Sequence, residues 1–166
     1  MIKIKILFSF LFIIAVPGLI RNKAFAQNFD KVAFYKVMKS GGVGEINTQL
    51  SNINDVLMDE KDAYVGALLM KKAGLIQKPK DKLFYFKSGR IKLETAIRAD
   101  SNNIEYHFLR LTIQEHVPAI VHYSDQLEAD SHYVQKFFKK LVPTVQHAVL
   151  EYAKTSKVLH VEDIKQ

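Results

Sequence analysis

Between Lys82 and Val117 the chain carries apolar residues on two opposite sides of a helical pattern, and does so twice, either side of a short polar turn. On a wheel drawn over Leu83 to Ala99, Tyr85, Phe86, Gly89, Leu93, Ala96 and Ile97 gather on one broad face. Phe84 and Ile91, one heptad apart, form a second apolar spot nearly opposite. Lys87, Arg90, Glu94 and Arg98 run between them, with Glu94 at four-residue spacing from both arginines, where a pair adds a few tenths of a kcal/mol. The segment Asn103 to His116 repeats the arrangement: Ile104, Phe108 and Leu111 on one side, Tyr106, Leu109, Ile113 and then Val117 on the other. A helix at the edge of a two-layer domain needs only one apolar stripe. Two stripes predict neighbours on both sides, and hence a sandwiched helical hairpin.

The turn, Asp100-Ser101-Asn102-Asn103, has the chemistry of a helix stop and restart, with Asn102 as the expected N-cap and Glu105 completing a capping-box pair. So short a connection makes the two helices antiparallel neighbours. The run Gly89, Leu93, Ala96, Ser101 resembles the second half of a tetratricopeptide repeat, with Ser101 where that family usually has proline. Tyr64, Gly66 and Leu69 would then belong to the repeat's first helix, although the connection from Gly74 to Asp81 exceeds that of the standard 34-residue unit. The chain as a whole is similar to small exported helical proteins of Bacteroidota-type bacteria, on the segments Ala63-Tyr64-Val65-Gly66-Ala67 and Glu105 to Gln114. Those resemblances imply export and an all-α fold with a tetratricopeptide-like central hairpin. They imply no chemistry.

Further helices are expected on either side. Asn28 to Ser40 would turn Phe29, Val32, Ala33 and Val37 inward, until Gly41, Gly42 and Gly44 stop it. No Gly-Lys-Ser/Thr follows, so these glycines read as a turn and not a phosphate loop. Glu45 to Asn54 would bury Ile46, Leu50, Ile53 and, just beyond, Leu57. Glu60 to Ala73 has almost no polar side and should lie in the middle of the domain, with Gly66 allowing close approach and Gly74 closing the helix through Leu75 and Met70. A basic connector, Ile76 to Lys80, follows. After Pro118 the segment to Asp130 is irregular, with Ile120, Val121 and Tyr123 partly inward. Ser131 to Leu141 turns Val134, Phe137, Phe138 and Leu141 inward, and the last helix starts at Pro143 with Val145, Ala148, Val149, Tyr152 and Ala153 on its inner face. Residues 158–166 are expected to fray. The sum is an all-α fold, a short antiparallel array or bundle of six to seven helices.

The first 26 residues have the layout of a secretory signal: Lys3 and Lys5, an apolar run from Ile6 to Val16, the Pro17-Gly18 break and Ala24-Phe25-Ala26 before Gln27. Cleavage between Ala26 and Gln27 leaves one helical domain, 27–166, exported to the periplasm or secreted. An uncleaved anchor is the rival, but Ile6 to Ile20 is short of the ~20 residues that a bilayer needs. Cleavage also removes four of the 24 basic residues and none of the 17 acids, which reduces the net charge from +7 to +3. Nucleic acid is therefore not the expected partner. What remains is a local excess over 71–98, nine Lys/Arg against Asp81 and Glu94, suited to an acidic partner, lipid head group or glycan.

No cysteine is present, and neither HExxH, paired Glu-x-x-His nor G-x-S-x-G occurs, so zinc-hydrolase, di-iron and serine-elbow chemistry lack their motifs and no cofactor or metal is expected. The His, Asp and Glu residues of the second half leave a small periplasmic enzyme or metal protein as an alternative. The leading expectation is a non-catalytic domain that binds protein or peptide on a concave helical surface. Tyr106, Phe84, Lys87, Arg90, Arg98 and Arg110 are its candidate contact residues, and a basic patch meeting acidic lipid or glycan is the other alternative.

Overall fold

In a computed structural model, residues 29–164 apart from 55 and 57 are described; the expected signal segment, Asn28, Leu57 and the last two residues of the expected frayed tail lie outside them. Eight α-helices follow one another among the described residues: α1 Lys31–Ser40, α2 Val43–Asn54, α3 Lys61–Leu75, α4 Pro79–Ala99, α5 Ile104–Gln114, α6 Leu127–Phe137, α7 Pro143–Ala153 and α8 Val161–Ile164. Short 3-10 turns occupy Ala119–Val121 and Phe138–Lys140. The fold is all-α, as the periodicity predicts.

α3 and α4 form the closest pair. Gly66 and Gly89 face each other so tightly that a Cβ on Gly66 would lie 2.7 Å from the Leu93 amide nitrogen, and one on Gly89 would lie 2.6 Å from the Gly66 carbonyl oxygen. Asp62 meets Lys92 at 2.7 Å at one end, and Lys72 lies over the Tyr85 ring at the other, so the two helices run antiparallel. α3 is buried on nearly every side from Ala63 to Ala73, as its lack of a polar face requires.

α5 is the wall between two cores. Tyr106, Leu109 and Ile113 join the first, with Phe34, Ile46, Ile53, Tyr64, Leu68, Leu93 and Ile97. Phe108 joins the second, with Val134, Val145, Val149, Leu159 and Ile164. Val117 packs on the first side and Ile104 on the second, so both predicted stripes of this helix are covered.

α4 departs from the expectation. Its inner face is buried through Gly89, Leu93 and Ile97, but no described helix covers the second apolar spot: Phe84 and Ile91 are 63% and 66% exposed, and Leu83 beside them is 53% exposed. The hairpin is therefore sandwiched at α5 only. The tail departs in the opposite sense. Residues 158–164 do not fray, because Leu159 and Ile164 fill the second core. Glu115 holds the preceding loop through the Ser156 hydroxyl, the Lys157 amide and the Tyr152 hydroxyl.

Smaller differences concern helix ends. Asn103, not Asn102, caps α5, its side-chain oxygen accepting from the amides of Glu105 and Tyr106. Gly74 lies inside α3, which runs on to Leu75, so the expected closure on Met70 is absent. α2 begins at Val43, which makes Gly44 helical, and α4 begins at Pro79, which shortens the connector to 76–78. α6 starts four residues before Ser131. Phe34 takes the inner position of α1 expected for Val32, which is exposed, and Ile120 is exposed as well.

Candidate functional site

Two of the candidate contact residues are structural. Tyr106 is 5% exposed and sits in the first core, and its hydroxyl pKa is pushed up to about 12 by burial and nearby acids. No surface can therefore present it alongside Phe84. Arg110 is buried and gripped by Asp130 in two parallel hydrogen bonds, Nε to Oδ2 at 2.7 Å and Nη2 to Oδ1 at 2.8 Å. Its Nη1 reaches Glu94 at 3.1 Å. Glu94 thus pairs across helices with Arg110 and with the Tyr123 hydroxyl at 2.6 Å, not with Arg90 and Arg98 along its own helix. Burial opposes the guanidinium charge, but the hydrogen bonds and charge of Asp130, with Glu94, outweigh it and raise the Arg110 pKa.

The same network takes in His107, whose Nδ1 lies 2.6 Å from Asp130 and whose Nε2 lies 2.9 Å from the Ser101 carbonyl. Burial alone would lower its pKa; Asp130 and the Ser101 carbonyl outweigh that, and the net shift is upward. With an acceptor at each ring nitrogen the imidazole serves as a double donor. Neither nitrogen is placed to take a proton from a substrate, so this His–Asp pair joins α5 to α6 and does not form a catalytic dyad. Among the described residues no group of three or more His, Asp or Glu side chains could hold a metal ion. Glu105, expected to complete a cap, is instead a buried bridge to α1 through Lys31 and Tyr35, each at 2.7 Å.

Phe84, Lys87, Arg90 and Arg98 lie exposed along α4. Reading Lys80, Phe84, Lys87, Ile91, Thr95 and Arg98 in turn gives steps of four and three, a single outward stripe in which cations alternate with apolar side chains before Thr95. The basic run over 71–98 is smaller on the surface than in the sequence, because Lys72 is buried against Asn47 and Tyr85 and Lys92 is paired with Asp62. Lys78, Lys80, Lys82, Lys87, Arg90 and Arg98 remain exposed.

Beside the C-terminal half of this stripe lies an open concavity of about 360 Å³ between α4, α5 and the loop at 122–126. Arg90, Ile91, Glu94 and Arg98 line it from α4, Arg110 and Gln114 from α5, and His122, Tyr123, Asp125 and Gln126 from the loop. Periodicity marks the α4 members but not the loop, whose left-handed residue His122, at φ 50°, turns the chain after the 3-10 segment. Glu94 presents no bare oxygen here, since Arg110 and Tyr123 engage one each. No helix among the described residues is long and apolar enough to cross a membrane. Comparison with protein-family models, curated proteins and solved structures gives no match.

Proposed function

We propose that this is a non-catalytic binding domain whose α4 outer face takes an acidic, partly apolar segment of a partner protein. The observation that carries the reading is the exposure of Leu83, Phe84 and Ile91 on α4, a helix whose exposed Lys80, Lys82, Lys87, Arg90 and Arg98 outnumber its one exposed acid, Asp81. Apolar side chains left in water at helical spacing supply the burial that an amphipathic segment needs, and Lys80, Lys82, Lys87, Arg90 and Arg98 supply complementarity to acids. A second copy docked through the same α4 face is a poor occupant, because it would bring like charges together. Export after cleavage between Ala26 and Gln27 belongs to the same reading and rests on the layout of residues 1–26. The tight approach of Gly66 to Gly89 supports taking α3–α4 as a degenerate tetratricopeptide-like unit, a scaffold suited to binding.

The test is fluorescence anisotropy with a labelled amphipathic peptide rich in Glu and Leu, at low and high salt, beside a sedimentation assay on anionic vesicles. Binding should weaken as salt rises. The surface variant Phe84→Ser/Lys87→Glu/Ile91→Ser should lose about tenfold or more in affinity with an unchanged urea midpoint. Stronger partition to anionic vesicles than to the peptide, or a variant that binds as before, would overturn the proposal.

A further inference from the structure

The spacing on the outer face of α4 limits the backbone of what can cover it. Phe84 and Ile91 are exposed seven residues apart in one helix, so their sites lie about 10.5 Å apart along its axis. An extended strand advances about 3.3 Å per residue, so that distance is about three of its residues, and an odd step puts the second side chain on the opposite face. Steps of two or four residues, about 6.6 Å and about 13 Å, miss one site or the other. An α-helix reaches both from one face, with apolar residues at i and i+7.

Backbone chemistry points the same way. Between Leu83 and Ile91 α4 keeps its amides and carbonyls in its own helix, and the described residues contain no strand whose edge an extended segment could join. A segment that buries apolar side chains here must satisfy its own backbone, which a helix does and an extended chain does not.

The aromatic anchor is in position before anything binds. The Phe84 ring stands edge-on to Tyr85 at 5.4 Å, Tyr85 lies under the Lys72 ammonium at 4.1 Å, and Lys72 donates to the Asn47 side-chain oxygen at 2.7 Å. Phe84 is exposed yet backed by this stack, so little side-chain freedom is lost when a partner covers it. Lys87 lies between Phe84 and Ile91 on the stripe, where an acid midway along the partner would meet it.

We infer that the partner segment is an α-helix, with apolar residues at i and i+7 seated on Phe84 and Ile91 and an acid at i+3 or i+4 facing Lys87. It supplies from outside the chain the neighbour that no described helix gives to this side of α4. The inference deepens the proposed binding function and rests on it.

The experiment compares four labelled peptides by fluorescence anisotropy on the unaltered protein. The first carries leucine at i and i+7 with glutamate at i+4. The second is that peptide with a side-chain bridge on its far face that locks the helix. The third has proline at its centre, and the fourth alternates leucine and glutamate. The locked peptide should bind about tenfold more tightly than the first, because its ordering cost is met in advance. The third and fourth should bind about tenfold or more weakly, since proline breaks the helix and alternation presents strand spacing. Far-UV circular dichroism should show helix gained when the first peptide meets the protein. If the proline or alternating peptide binds as tightly as the first, or the locked one no better, the helical partner is overturned and the α4 face stands. If none of the four binds, the face is refuted and the helix with it.

Discussion

Replacing Gly66 by alanine tests the packing on which the whole arrangement rests. The added methyl would lie 2.7 Å from the Leu93 nitrogen and 2.8 Å from the Gly89 carbonyl oxygen, against an ordinary contact of 3.4 Å or more. Both obstacles are backbone, so no side chain can swing aside, and α3 and α4 must move apart by roughly 0.7 Å, which forfeits dispersion contacts along their length. Overpacking of this kind costs about 1–3 kcal/mol, while alanine recovers about 0.5–1 kcal/mol of helix propensity. The expected net loss is about 1–2 kcal/mol, read as a lower urea midpoint at constant slope. Gly74 is the internal control: it is in the same helix with nothing within 4 Å of its absent Cβ, so Gly74→Ala should stabilise by about 0.5–1 kcal/mol. Gly66 and Gly89 share one contact, so the double alanine variant should cost less than the two single losses added together. If Gly66→Ala stabilised as Gly74→Ala does, or the two losses simply added, the close approach would be refuted.

Two more outcomes follow from buried groups. Asp130→Asn should destabilise by about 3–5 kcal/mol in urea unfolding, because it strips a buried carboxylate from Arg110 and His107 together. In the intact protein the folded state raises the His107 pKa, so its contribution is complete below the unfolded value of about 6.5 and is lost as pH rises through the folded value. His107→Gln should remove that part of the decline, measured as urea midpoints from pH 6 to pH 8.5. Leu159→Ala, in a tail that helps to close the second core, should cost about 2–5 kcal/mol, whereas a frayed tail would show no change.

The two faces of α5 were legible because each is a property of one helix. Residues three and four apart share a side whatever surrounds them, and two complete stripes leave no side for water. Periodicity does not settle the outer face of α4, where two apolar side chains a heptad apart look alike whether a neighbour covers them or not. Glu94 shows the matching limit for charge. Its partners along the helix were visible at four-residue spacing, yet Arg110, 16 residues on, and Tyr123, 29 residues on, hold it instead. A cross-helix guanidinium already desolvated by packing binds a carboxylate more strongly than an exposed arginine on the same helix. Glu105 likewise reaches Lys31 across 74 residues and gives up the local cap for which its position qualified it.

What the amino-acid order determined by itself is the local part: an all-helical chain, the burial of α3, the double-sided wall of α5, the proline that opens α7 and the glycine that admits a neighbouring helix. Tertiary structure alone decided which surfaces are left over. It buried Tyr106 and Arg110, tied the tail into the second core, exposed Leu83, Phe84 and Ile91, and brought α4, α5 and the loop at 122–126 around one concavity. The physical reason is one of range. Helical periodicity is set by the nearest few residues, whereas burial and ion pairing are set by whichever distant segment arrives to exclude water.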